Sequence, residues 1–464
     1  MTLQRITACR ACGSRHLQDA VDLGAQYDQG AFTARGAASA AELYPTELVR
    51  CDAAADPEAC GLLQRAYATP DGPNFSSYWS RSGVNKTMRD HLRGLVGDAI
   101  VMTGLDAPSV LDIGCNDGTL LSYYPKSATR FGVDPSDVAS AIGSWANVVS
   151  DVFPSEAACK AIGGRTFDIV TTVAMFDSVE DPAAFARAIR KVLGVKGVWV
   201  LETSYLPLML ARNAYDGIRR ERVGHYSLAV LEHVMSDAGL KIVRGELNEA
   251  KGGSIRLYIT HAEQGGYDRD QWLDALADIW DREAELNLNG GAPYRAFQMR
   301  LEGLRDELAR VVSDIHERGE TIHLYGASTG GNTLLQWCGL SSGVIRYAAD
   351  RNPIKVGTRL PGGEIEVISE TASRGMRPDY YLVLPWTFRR EILEREREAI
   401  FNGAQMIFPL PHLRFVTADN YATELSDAMM ECQAGAGVET LRAILDAARG
   451  RLRVIDGDLE RATA

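Results

Sequence analysis

The stretch "VLDIGCNDGTLL", Val110 to Leu121, decides how the rest of the chain is read. An apolar run carries Asp112 near its end. A turn follows through Gly114, Cys115, Asn116, Asp117 and Gly118, and helical text begins. Only glycine turns this tightly and lets a ligand come close to the backbone, so the pattern predicts strand, loop and helix N-terminus around a bound group. The next apolar run, "FGVDPSD", ends in Asp134, placed to accept hydrogen bonds from a ribose diol. "VVSDVFP" then offers Asp151 near where an adenine amine would lie.

Outward from this loop the text alternates. Short apolar runs ("RFGVDP", "FDIVTTVAMF", "GVWVLETS", "LKIVRGEL", "IRLYITH") are separated by helical segments. Such alternation predicts an α/β fold, a parallel doubly wound sheet with helices on both faces. Before it, "TMRDHLRGLVGDAI" puts Met88, Leu92, Leu95, Val96 and Ile100 on one face of a packing helix. After it, charged helical text from Asp268 to Arg318 reads as a bridging helix. A second, smaller α/β unit begins at "TIHLYGAS" and continues through "IRYAADRNP", "DYYLVLPW" and "AQMIFPLP". Its glycine-rich turn "YGASTGGN", Tyr325 to Asn332, either cradles a pyrophosphate or simply turns the scaffold. Asp350 and Asn352 end a strand beside it, and the aromatic "LPWTF" stacks on a base or fills core. The last forty or so residues read as closing helices. The expected domains are residues 1–70, 71–300, 301–415 and 416–464.

The chain has 464 residues and a net charge of −12, with no basic stripe of the kind nucleic acid requires. No apolar run approaches the ~20 residues of a membrane span. The N-terminus lacks the apolar centre of a signal peptide, so a cytoplasmic protein is expected, with neither nucleic acid nor membrane as partner. In a reducing compartment cysteines serve as ligands or core residues more than as disulfides. Cys9-x-x-Cys12 forms a tight knuckle that Cys51 and Cys60 can complete as an S₄ site for structural zinc, although the second pair is widely spaced. A small module poor in core residues needs such a staple.

The central loop has Gly-x-x-x-Gly spacing and Asp112 in its strand. A dinucleotide loop would read Gly-x-Gly-x-x-Gly. The pattern is the first motif of S-adenosylmethionine methyltransferases. The chain as a whole resembles the nucleotide-sugar C-methyltransferases of deoxysugar pathways. The resemblance spans about residues 5 to 415 and rests on "CRACGS", "YPTELVRC", "SYWSRSGVNKTMRDHLR", "LDIGCNDGTLL", "AMFDSVEDPAAF", "ETSYLPLMLARNAYDGI", "GGSIRLYIT", "YGASTGGNTLLQWCG" and "AADRNPIKVGTRLPG", among other blocks. It implies an N-terminal zinc module, a central class I methyltransferase domain and a C-terminal Rossmann-like domain that helps with the sugar nucleotide. It also implies S-adenosylmethionine held by Asp112, Gly114, Asn116, Gly118, Asp134, Asp151 and Ala174. The acceptor is then a small molecule, nucleotide-linked or anionic.

The family's reaction removes a proton beside a ketone, and the enolate takes up the methyl group. Members carry a Tyr or Cys and then His-Glu-His before a Tyr-Ser pair. This chain has Arg219, Arg220, Glu221 and Arg222, followed by His225 and Tyr226. Arginine stays protonated and cannot be the base. Near "YWSRS" it keeps Tyr78 and has Ser80 where members often have a second tyrosine. Glu221, His225, Tyr226 and Tyr78 are therefore the candidates for proton handling. Arg219, Arg220 and Arg222, with Asn332, are candidates for holding an anionic acceptor. The arginines also admit a reading as surface ion pairs. A non-methylating enzyme, or a binding or assembly protein on the same scaffold, is the alternative.

Overall fold

The computed structural model describes residues 3–34, 42–68, 81–267 and 272–434. The chain forms two compact units. One is built from Met1–Gln18, Val49–Leu206 and Val223–Gly290, the other from Asp19–Leu48, Pro207–Arg222 and Gly291–Ala464. Residues 19–48 thus fold with the C-terminal half and residues 49–68 with the central one. The N-terminal region is less irregular than its composition suggests. Leu17–Tyr27 and Leu43–Cys51 are long strands whose buried positions recur every second residue over parts of their length.

The first unit holds a seven-stranded sheet in the order Leu240–Asn248, Ser254–His261, Leu193–Ser204, Phe167–Val173, Ser109–Ile113, Thr129–Val133, Asn147–Val149. The last five pair in parallel. Ser254–His261 runs antiparallel to both of its neighbours, which corrects the all-parallel expectation. The link Glu249–Gly253 before it is too short for a parallel crossover, which needs a dozen or more residues, so the strand must turn back. Central strands are apolar on both faces: Val110, Leu111, Ile169, Val170, Val198, Val200 and Leu201 are all buried. Helix Lys86–Thr103 buries Leu92, Leu95, Val96 and Ala99 against this sheet, close to the stripe read from its spacing. Gly104, left-handed at φ 65°, stops it. The expected bridging helix is two helices, Leu273–Leu286 and Ala292–Glu317, separated by left-handed Asn287 and a Gly-Gly pair.

The second unit centres on an eight-stranded sheet in the order Arg414–Val416, Gln405–Phe408, Tyr380–Val383, Ile322–Tyr325, Tyr347–Asp350, Glu366–Ser369, Thr358–Arg359, Thr33–Ala34. The five strands from Gln405–Phe408 to Glu366–Ser369 are parallel. Thr33–Ala34, from the N-terminal region, adds the last antiparallel edge. Helix Tyr421–Ala434 is the last described element, and the closing helices expected beyond it lie outside the described residues.

The glycine-rich turn of this unit is closely packed. A Cβ on Gly330 would lie 2.8 Å from the Asp216 carbonyl oxygen, and one on Gly331 would lie 2.5 Å from the Leu384 Cβ. Ser328 caps the helix Thr329–Trp337 by accepting from the Gly331 N–H. Gly331→Ala should therefore destabilise the protein by about 1–3 kcal/mol. An unhindered helical Gly→Ala change would instead gain up to about 1 kcal/mol. Urea unfolding decides: a midpoint unchanged or raised would show that Leu384 moves aside freely.

Candidate active site

The carboxyl ends of the parallel strands in the first unit converge on the central loop. Gly114 and Gly118 are left-handed at φ 78° and 74°. A side chain on Gly114 would press on Met175, and one on Gly118 on Ile142 and Trp145. Two non-glycine residues here are left-handed as well, Asn116 at φ 51° and Ala174 at φ 55°. Such strain persists only where surroundings over-determine it, and it gathers at ligand sites. Asp134 pins the loop. One carboxylate oxygen accepts the Asn116 N–H at 2.8 Å, and the other accepts the N–H and hydroxyl of Ser136 at 2.8 and 2.5 Å. Asp151 accepts from the Val152 N–H and the Ser155 hydroxyl. Each carboxylate keeps lone pairs for further donors. Asp112 is buried, with the Thr171 hydroxyl donating at 2.6 Å. Burial, reinforced by the charge of Asp134, pushes its carboxyl up to about 7 despite that hydrogen bond.

Beside this loop lies a charged cluster that motif reading missed. Glu202, on Leu193–Ser204, is 2% exposed. It accepts from His91 Nε2 at 2.6 Å, Arg256 Nε at 2.8 Å and Asn248 Nδ2 at 3.0 Å. Burial acts to raise its pKa, but His91 and Arg256 outweigh burial and hold it at about 2. Arg256 also pairs with Glu246 and Asp98. The only trace in the sequence is an acidic residue inside an otherwise apolar strand, "VWVLETS".

The arginine segment is divided between the units. In the second, Arg220 donates to Asp28 at 2.6 Å and stacks over the Tyr44 ring at 4.3 Å. Arg219 pairs with Glu221 at 3.3 Å, and Arg222 is buried. Asn332, also there, is 1% exposed and donates to the Gln29 carbonyl at 3.4 Å. In the first unit, the short strand Gly224–His225 pairs with Leu63–Arg65 and buries His225. Tyr226 is enclosed against Phe176, ring centroids 5.0 Å apart. Burial, with Asp177 nearby, holds its hydroxyl well above the usual tyrosine range. Tyr78 lies outside the described residues.

The four cysteines come together. The Sγ atoms of Cys9, Cys12, Cys51 and Cys60 lie within 4.8 Å of one another, with Cys9–Cys60 at 3.6 Å and Cys12–Cys51 at 3.5 Å. Tetrahedral zinc with bonds of ~2.3 Å sets sulfurs ~3.8 Å apart, so the cluster fits the ion. Four thiolates this close repel one another unless a cation sits among them. Four protein ligands leave no open position, which makes the site structural. Arg10, inside the knuckle, donates to Glu180 at 2.7 Å and to the Arg65 carbonyl at 2.7 Å. The knuckle is thereby fastened to the strand that pairs with Gly224–His225 and to the loop following Phe167–Val173.

Three family models match in tandem: a zinc binding domain at residues 9–72, a methyltransferase domain at 58–244 and a C-methyltransferase C-terminal domain at 249–411. C-methyltransferase NovU of Streptomyces niveus is 27% identical over 429 residues, covering 89% of this chain and 98% of that one. A ubiquinone biosynthesis O-methyltransferase of Neisseria meningitidis is 28% identical over 152 residues, covering 29% of this chain and 62% of its own length. Among solved structures, a magnesium protoporphyrin IX methyltransferase from Synechocystis with bound S-adenosylhomocysteine aligns with 39% of this chain and 90% of its own, at 15% identity and a TM-score of 0.31. The strand order and the methyltransferase domain make the chain a class I, S-adenosylmethionine-dependent methyltransferase carrying a structural zinc site. With all three domains in order, it is similar along nearly its whole length to a C-methyltransferase.

Purified protein should contain about one zinc per chain by elemental analysis. Cys51→Ser should lower that content and cost several kcal/mol of stability, since metal binding and folding are coupled; a metal-free wild type of undiminished stability would refute the assignment. Glu202 has a folded-state pKa near 2 against an ordinary 4.5, so its contribution is complete above pH ~4.5 and fades as pH falls toward 2. The shift corresponds to about 3 kcal/mol. Wild type and Glu202→Gln, unfolded by urea between pH 3 and 7, should differ most at neutral pH and converge in acid. A constant difference would show that the carboxylate charge is not what stabilises.

Proposed function

We propose that this enzyme transfers a methyl group to carbon on a nucleotide-linked sugar, beside a ketone. The observation that carries this reading is the C-methyltransferase relative matched along 98% of its length, zinc module and C-terminal domain included. In this reading residues 1–70 carry the zinc site, with 19–48 folding into the C-terminal unit, while 71–300 bind the donor, 301–415 help with the nucleotide and 416–464 are an extension. The substrates are small polar metabolites of the cytoplasm.

Asp112, Gly114, Asn116, Gly118, Asp134, Asp151 and Ala174 hold the donor. Asp134 takes the ribose hydroxyls on lone pairs left by Asn116 and Ser136. Asp112 balances the cationic end of the molecule. Bound there, S-adenosylmethionine supplies an electrophilic methyl group. Arg219, Arg220 and Arg222, with Asn332, set acceptor preference for an anionic, nucleotide-bearing molecule. Ion pairing to Asp28 and Glu221 orders the first two arginines in advance. Glu221, His225, Tyr226 and Tyr78 remain candidates for proton handling. Tyr226 holds Phe176 and the segment around His225 in place.

The test is incubation with S-adenosylmethionine and a panel of 4-keto sugar nucleotides, following S-adenosylhomocysteine release and a new carbon-bound methyl signal by NMR. Turnover of at least one member is expected. Tight donor binding by calorimetry with no turnover on any member would reject this acceptor class. Asp134→Ala should weaken donor binding by about tenfold or more, from lost charge-assisted hydrogen bonds. Arg220→His should leave donor affinity within about twofold while changing acceptor KM or product ratio. If neither acceptor parameter moves, the arginines are only surface pairs.

A further inference from the structure

The arginine segment lacks the family's histidines, yet carbon methylation needs a base. We infer that His91, held by Glu202, is the residue that takes the acceptor's proton. This rests on the carbon-acceptor reading above. His91 sits on helix Lys86–Thr103. The helix entry is tied to the donor loop, where the Ser82 N–H donates to Asn116 Oδ1 at 3.0 Å and the Gly83 N–H to Asp117 Oδ2 at 2.9 Å. Glu202, its partner, pairs in register with Val173, and the Ala174 N–H donates to the Glu202 carbonyl at 2.8 Å. Both elements that hold His91 therefore end on residues of the donor crevice.

The hydrogen bond sets the ring's state. A carboxylate only accepts, so His91 Nε2 must carry the hydrogen at the 2.6 Å contact. Neutral imidazole then has its lone pair on Nδ1. Among the described residues Nδ1 makes no hydrogen bond, and the side chain is 18% exposed. This is the arrangement of an oriented base, with a buried carboxylate fixing the tautomer and balancing the imidazolium that forms. The charged groups facing the ring are Glu202 and Arg256, whose Nη2 lies 3.3 Å from Nε2. Asp98 and Glu246 neutralise Arg256 in turn. In the step, the acceptor C–H breaks and its proton moves to Nδ1. The electron pair stays with the acceptor as an enolate and forms the new bond to the methyl carbon, while the carbon–sulfur pair leaves on sulfur. Glu202 is a positioning residue.

Two measurements on the full-length enzyme test this. Diethyl pyrocarbonate labelling, read site by site by mass spectrometry, should modify His91, and saturating S-adenosylhomocysteine should slow that modification several-fold. Absence of modification or of protection would overturn the placement of Nδ1 beside the donor, whatever the acceptor proves to be. With a turned-over 4-keto sugar nucleotide, His91→Gln keeps a donor for Glu202 but has no basic nitrogen. It should lose about a hundredfold in kcat, keep its donor affinity and melting point, and lose exchange of the acceptor's acidic hydrogen with deuterated solvent. Added imidazole should partly restore His91→Ala. A His91→Gln enzyme with wild-type kcat, or exchange that survives, would overturn the assignment. If wild type turns over no member of the panel, the acceptor reading fails and the labelling result alone decides the place of His91.

Discussion

The carboxylate of Asp134 is the constraint on which the donor site depends. It ends one parallel strand and accepts the Asn116 N–H from the loop that leaves the neighbouring strand. With Ser136 on its other oxygen it is 6% exposed and held from both sides by the chain. A charge so enclosed is tolerable only with several donors around it. Those donors hold the left-handed turn through Asn116 in the shape that a ligand must meet. Remove the carboxylate and the loop loses its fixed point, while the glycines alone would leave it free to choose other conformations.

The second carboxylate of consequence, Glu202, works differently. Asp134 organises backbone, whereas Glu202 organises side chains: an arginine, an asparagine and a histidine converge on it inside the sheet. Its low pKa and the raised one of Asp112 show two acids near the same strand ends driven in opposite directions. The physical difference is the count of donors. Asp112 has one hydroxyl against the cost of burial, and Glu202 has two cation-capable partners and an amide.

The zinc knuckle reaches the same region through Arg10. Its bonds to Glu180 and to the Arg65 carbonyl join the metal cluster to the strand beside Gly224–His225. A module with little core of its own thus obtains rigidity from sulfur and metal and passes it to a segment next to the buried aromatic group of Phe176, Phe185, Trp199 and Tyr226. Tyr226 lies within that aromatic packing, buried with its ring against Phe176.

Local sequence sufficed for whatever is decided within a few residues. The glycine loop, the acid ending each strand, the Cys-x-x-Cys knuckle and the apolar stripe of Lys86–Thr103 all follow from backbone freedom, ligand chemistry or helical period. The loose Cys51–Cys60 spacing also led to the right four ligands, since only those thiols were available near the knuckle. Tertiary structure alone decided the reversal of Ser254–His261, the addition of Thr33–Ala34 to the C-terminal sheet, and the meeting of His91 with Glu202 and Arg256. Those three residues are separated by more than a hundred positions at one step and more than fifty at the next. No periodicity encodes such a contact, because it exists only once a helix is laid across a sheet and a strand has turned back beside its neighbour.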